Sequence, residues 1–164
     1  MPTIFVSYSR HDSNITQDFA ESLRREGYTV WTDVSGIPGG AVWLFEIETA
    51  ITNCDTFIVM ISRNAKESQW VRREYLFALD LKKRIIPICI EDVTLPFALY
   101  DLQPINHFMA PNRALSELRA VLDHKLDPAT TPASEVEHPK PLKSEGFTLV
   151  DFRRHLLAHP DEET

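Results

Sequence analysis

Glu46 is the residue of this chain best placed to do chemistry. It lies three residues after Trp43 and four before Ala50. On a helix it therefore flanks the apolar stripe Trp43, Ile47, Ala50 and Ile51 instead of pointing straight out. The preceding loop, Val34-Ser35-Gly36-Ile37-Pro38-Gly39-Gly40, holds three of the chain's five glycines. Folded over Glu46, it lowers the local dielectric. A carboxylate held beside a ribose stabilises the positive charge that develops at the anomeric carbon as a glycosidic bond breaks. By spacing alone the blander reading is the commoner one: a solvated acid in the first turns of a helix, favoured by the macrodipole. Glu48 is the rival. Two residues on, it turns about 200° away and reads as surface, and the register between the two stays open.

These side chains need a scaffold, and strand and helix signals alternate to supply one. Ile4-Phe5-Val6 is a short apolar run with the mark of a buried strand. Asp12 or Ser13 caps a helix whose apolar positions Ile15, Phe19 and Leu23 repeat every four residues, and Gly27 stops it. Tyr28 to Trp31 reads as a second strand and Thr56 to Ile61 as a third, apolar throughout as in the middle of a parallel sheet. A helix from about Gln69 to Lys82 presents Trp70, Phe77 and Leu81, and ends in Lys82-Lys83-Arg84, which suits its negative pole. Arg84 to Ile90 makes a fourth strand, whose Pro87 hints at an edge or an interrupted ladder. Ile105 to Phe108 supplies a short fifth strand, and Ala114 to Leu126 a closing helix.

This βαβα order predicts an α/β fold, a parallel sheet with helices on both faces. Ligands of such sheets bind beyond the carboxyl ends of the strands. Those ends carry Ser7-Tyr8-Ser9-Arg10, Thr32-Asp33, Ser62-Arg63 and Glu91-Asp92. Asp33 either fixes the glycine loop, the blander role, or takes a ligand hydroxyl. His11 and His107 stand without ligand-spaced companions, so no metal site is assigned.

The chain divides into a domain at 1–126, a linker at 127–146 and a short segment at 147–164. The linker begins with four of the eleven prolines between Asp127 and Lys143. In the last segment Leu149, Phe152, Leu156 and Leu157 form one apolar stripe, too short to stand alone. It packs on the domain or a partner, or opens another module.

A net charge of -7 argues against general nucleic-acid affinity. Hydrophobic residues make up 43% of the 164, enough for a full core. Cys54 and Cys89 sit in apolar stretches and read as buried free thiols, as suits a reducing cytoplasm. Neither a signal peptide nor an apolar run of about 20 residues, as a membrane helix needs, is visible. There is no G-x-x-x-x-G-K-[ST] and no G-x-G-x-x-G. A response-regulator receiver needs acids where this chain has Ser7-Tyr8-Ser9 and Ser62-Arg63.

Three stretches taken together resemble the TIR (Toll/interleukin-1 receptor) domain of the bacterial kind. They are Ile4-Phe5-Val6-Ser7-Tyr8-Ser9, Gly39-Gly40-Ala41-Val42-Trp43-Leu44-Phe45-Glu46-Ile47 and Ser68-Gln69-Trp70-Val71-Arg72-Arg73-Glu74. The resemblance implies a flavodoxin-like three-layer sandwich around a central, mostly parallel five-stranded sheet. It also implies function through self-association, with clustering by a sensor module that is attached or separate. Such domains either scaffold assemblies or cleave NAD+ at the nicotinamide–ribose bond. For the enzyme, the resemblance assigns the catalytic role to Glu46, and lines the NAD+ cleft with Tyr8, Ser9, Arg10, Trp31, Asp33, Gly39 and Trp43. Arg10 meets ribose or diphosphate oxygens there, or is an exposed loop arginine; Trp31 stacks on a ligand ring, or is a core aromatic. NAD+ enters as substrate, with no cofactor. The Trp70-to-Glu74 turn is implied chiefly to pack its helix. A related fold, that of the nucleoside deoxyribosyltransferases, exchanges bases on deoxynucleosides by similar chemistry.

Overall fold

The computed structural model describes residues 2–32 and 41–123, and of 41–43 only the backbone. The expected linker and tail at 127–164, and Asp33 and Gly39, lie outside the described residues. So does the side chain of Trp43.

Five strands form one sheet: β1 (Thr3–Ser7), β2 (Thr29–Thr32), β3 (Thr56–Ile61), β4 (Arg84–Cys89) and β5 (Ile105–Asn106). Their order is β2-β1-β3-β4-β5, and every pairing is parallel. The expected α/β sandwich is present, with a sheet more uniform than "mostly parallel". Helices α1 (Ser13–Arg25), α2 (Ala41–Asn53), α3 (Arg63–Glu67), α4 (Gln69–Asp80) and α5 (Pro111–Asp123) complete it.

Strand alternation divides the core into two layers. Ile4, Val6, Ile58, Met60, Ile86 and Ile88 pack with α1 and α5 through Phe19, Leu23, Leu118 and Leu122. Phe5, Phe57, Val59 and Ile61 pack on the other face with Ile47 and Ile51 of α2 and Val71, Tyr75 and Ala78 of α4. Trp31, Phe5 and Phe57, side by side on β2, β1 and β3, stack at 5.5 and 5.4 Å between ring centroids. Both cysteines are buried free thiols, and burial pushes both thiols up.

Helix ends follow local chemistry. Gly27, at φ 94°, ends α1, with Tyr28 N–H on the Leu23 carbonyl. Lys82 takes the same left-handed position after α4, at φ 53°. Lys83, expected to serve the end of α4, instead gives its ammonium to the carbonyls of Thr52 and Cys54 at the end of α2. Pro111 opens α5, where a missing N–H costs nothing.

The facing of α4 departs from expectation, while Pro87 meets one of its two expected settings, an interrupted ladder. The buried face of α4 is Val71, Glu74, Tyr75 and Ala78, with Phe77 half-buried against the same core. Trp70 and Leu81, expected on that face, are exposed. Pro87 lies within a strand flanked by β3 and β5, yet β5 covers only Ile88 and Cys89, so the ladder is open beside the proline. Helix α3 follows β3 directly. Ser62 caps it by accepting the Ala65 N–H at 2.9 Å.

Candidate functional site

Buried polar residues gather where β1 and β3 end. Ser7 closes β1 on the face that Phe5 occupies two residues earlier, and none of it is exposed. Its hydroxyl donates to Oε2 of Glu74 at 2.5 Å. Glu74 is itself buried, in the apolar face of α4. Next along the chain, Ser9 is buried and Arg10 exposed. The Asp12 N–H returns to the Ser9 carbonyl at 2.8 Å and closes a short 3-10 turn at Arg10–Asp12.

Asp12 does not cap α1 with its side chain, contrary to expectation. Its carboxylate is buried and accepts the Ser62 hydroxyl at 2.5 Å and the Asn64 amide at 3.4 Å. This ties the turn after β1 to the start of α3. The Arg63 N–H reaches Glu91 at 3.0 Å and joins the end of β3 to that of β4. The strand ends are thus stitched into one rim.

A cleft of about 300 Å³ opens above that rim. It is lined by Tyr8, Ser9, Arg10, His11, Asn64, Glu67, Ser68, Trp70 and Glu74. Beside it, between α2 and α4, lies a second hollow of about 240 Å³ whose wall is chiefly apolar: Leu44, Ile47, Ile51 and Phe77, with Glu48 and Arg73 at its edge. Trp70 and Glu74 belong to both hollows. Trp70 is 43% exposed, and its ring carries the Arg73 guanidinium 5.4 Å from the centroid.

Of the residues expected to line a site, Tyr8, Ser9 and Arg10 come together here. Tyr8 also packs into the α1 side of the core, and its hydroxyl accepts from Gln17 at 3.5 Å. Trp31 is half-buried and turns a face to Phe5, the core role, outside the lining of either hollow. Glu46 is half-buried on α2 and is not among the lining residues; Glu48 is exposed and edges the second hollow. Two acids stand with Tyr8, Ser9 and Arg10: Glu67, which is exposed, and Glu74, which is buried. The sequence held one signal for Glu74, an acid in the middle of an apolar helix face.

The arrangement offers a buried carboxylate held by a hydroxyl, a broad aromatic face one helical turn away, and a cation at the mouth. A planar ring stacks on such a tryptophan, and an arginine grips phosphate or ribose oxygens by charge-assisted hydrogen bonds. Among the described residues no group of three His, Cys, Asp or Glu could hold a metal ion, and no helix is long and apolar enough to cross a membrane.

Residues 4–122 match the sequence model of the TIR domain. The chain belongs to the TIR domain family. This TIR domain is 30% identical over 98 residues to the NAD(+) hydrolase SARM1 of Danio rerio, a match covering 53% of the chain and 13% of that relative's length. Among solved structures it resembles the TIR domain of the Toll-related receptor TRR-2 from Hydra magnipapillata, at a TM-score of 0.64 and 16% identity, over 76% of this chain and all of the other. A prokaryotic SEFIR domain follows at 0.60 and 18%, over 83% of this chain and all of the other. The 2-desoxiribosyltransferase of Leishmania mexicana superposes at 0.51 and 14%, over 77% of this chain and all of the other. At such identities these structures speak for the fold alone.

Proposed function

We propose that this TIR domain cleaves NAD+ at the nicotinamide–ribose bond, with Glu74 as the carboxylate that faces the reacting sugar. One observation carries the reading. A buried glutamate shares a cleft with Tyr8, Ser9, Arg10 and Trp70 at the carboxyl ends of the central strands. Nicotinamide leaves as a neutral group, and an oxocarbenium-like ribose remains for water to attack. A carboxylate in a dry wall stabilises that charge more than one in water does. Trp70 receives the nicotinamide ring, and Arg10 holds the diphosphate. The role expected of Glu46 passes to Glu74 in this reading, and the stacking role expected of Trp31 passes to Trp70. The cleft is at the small end of ligand sites, roughly 300 to 1,000 Å³. It suits the nicotinamide riboside half, with the rest of the dinucleotide lying outside.

The likeness to an NAD(+) hydrolase supports the substrate, and membership of the TIR family supports activation by self-association. In this picture a sensor module clusters the domains in the cytoplasm. NAD+ is then consumed, or converted to linear or cyclic ADP-ribose as a signal, in bacterial defence against phage. Without the chemistry, the domain is a scaffold that recruits other TIR domains.

The test is nicotinamide release from NAD+ at high protein concentration with a crowding agent, wild type beside Glu74→Gln, Glu46→Ala and Glu48→Ala. The reading expects loss of release in Glu74→Gln alone, with the melting temperature retained. Loss in Glu46→Ala alone returns the role to α2. No release from wild type that is demonstrably oligomeric favours the scaffold, and exchange of bases on a deoxynucleoside favours a transferase.

A further inference from the structure

We infer that Ser7 is a positioning residue for the Glu74 carboxylate, an inference that rests on the function proposed above. Two polar residues interrupt apolar surfaces in this fold, and they interrupt them at the same point. On β1 the positions facing α4 are Phe5 and Ser7, both wholly buried. On α4 the positions facing the sheet are Val71, Glu74, Tyr75 and Ala78. A serine with no exposed surface and a buried glutamate each require a partner, because an unmet polar group there costs about 1–3 kcal/mol. They find each other across 67 residues of sequence, at 2.5 Å.

Ser7 is not among the residues lining the cleft, whereas Glu74 is. The hydroxyl therefore acts through the carboxylate and does not touch substrate. Donating to Oε2, it selects one rotamer of a side chain that has three rotatable bonds, and it favours the ionised form of the acid. β1 is paired to β2 as far as Val6 and to β3 through Ser7 itself, so the donor is carried by a strand inside the sheet. A carboxylate held from that point is in place before substrate arrives, as electrostatic stabilisation of a transition state requires.

The test compares Ser7→Ala, Ser7→Thr and Ser7→Cys with Glu74→Gln, by nicotinamide release across pH. Removing a hydrogen bond to a charged group predicts a fall in kcat of about 10- to 100-fold in Ser7→Ala. KM stays within about 2-fold, because no substrate contact is lost. The acid limb of the pH–rate profile moves to higher pH, and Ser7→Thr, which keeps the hydroxyl, restores both kcat and the limb. Ser7→Cys keeps the volume with a weaker donor; it reports in place of Ser7→Ala should the latter melt early, and its kcat falls in the same sense. A purely packing role would leave the acid limb unmoved in every variant, and that result overturns the inference. If Glu74→Gln is inactive while Ser7→Ala and Ser7→Cys match wild type, the inference falls and the proposed function stands. If Glu74→Gln is active, both fall together.

Discussion

The buried Asp12–Ser62 contact should be among the strongest single polar couplings in the domain, and a double-mutant cycle measures it. Asp12 accepts the Ser62 hydroxyl at 2.5 Å, and Ser62 in turn accepts the Ala65 N–H at 2.9 Å. Ser62 has no exposed surface and Asp12 almost none. A hydrogen bond to a charged group contributes about 1.5–3 kcal/mol. The Asn64 contact, at 3.4 Å, is long and adds less. Asp12→Ala removes the acceptor and leaves the Ser62 proton buried, so it should cost about 3 kcal/mol. Ser62→Ala loses the cap of α3 as well, typically about 1 kcal/mol, and should cost about the same in total. In the double variant neither group is stranded, so its cost should fall short of the sum by about 1.5–2 kcal/mol. Urea unfolding at constant m-value, read by fluorescence and by circular dichroism, gives the four free energies. A coupling below about 0.5 kcal/mol would refute the reasoning and leave Asp12 a surface-like acid.

Two further predictions follow from the core. His107 is buried, makes an edge-on contact with Phe19 at 5.8 Å, and has no partner for Nδ1 among the described residues. Burial holds its imidazole below the ordinary value of 6.5. The unfolded chain then binds a proton first as pH falls. The stability is therefore complete above about 6.5 and declines below it, by at most about 1.4 kcal/mol per pH unit. His107→Leu should flatten the melting-temperature profile between pH 7 and 5, and an unchanged slope tells against the assignment. Phe5→Ala should cost about 3–5 kcal/mol, since it empties the middle of the Trp31–Phe5–Phe57 stack; a loss under about 1.5 kcal/mol in urea unfolding contradicts that packing.

The alternation of strands and helices was legible because each apolar run carries its period in plain view. Ile4 to Val6 and Thr56 to Ile61 are strands by composition alone, and Phe19 and Leu23 lie buried on α1 as their spacing requires. The facing of α4 was not legible. Trp70 and Leu81 outweigh Val71 and Ala78 in hydrophobicity, and only the sheet beneath decides which row has room. Nor could a sequence show that Ser7 and Glu74 meet, since nothing in a largely apolar strand tells whether its last hydroxyl is met by a carboxylate or by backbone. The site followed the same pattern. Tyr8, Ser9 and Arg10 were expected at a cleft because they end a strand, and they line one; Glu74, which lines it too, read as part of a packing motif.

Topology favours α4 as the source of the acid in the proposed cleft. In the order β2-β1-β3-β4-β5 the chain leaves β1 toward β2 on one side and builds β3, β4 and β5 on the other. The strand ends diverge between β1 and β3, and in open parallel sheets that is where a crevice forms. The residues following β1 supply Tyr8 to His11, and those following β3 supply Asn64 and Glu67. A third wall must come from a helix that crosses this point, and α4 packs on β1, β3 and β4 together. α2 also touches β1, but among the described residues it reaches the cleft's neighbour, through Leu44, Ile47, Glu48 and Ile51, and not the cleft itself. Of the α2 acids Glu48 borders the second hollow, whereas an acid on the sheet-facing row of α4 at the level of Ser7 is at the crevice. Glu74 is the residue at that level.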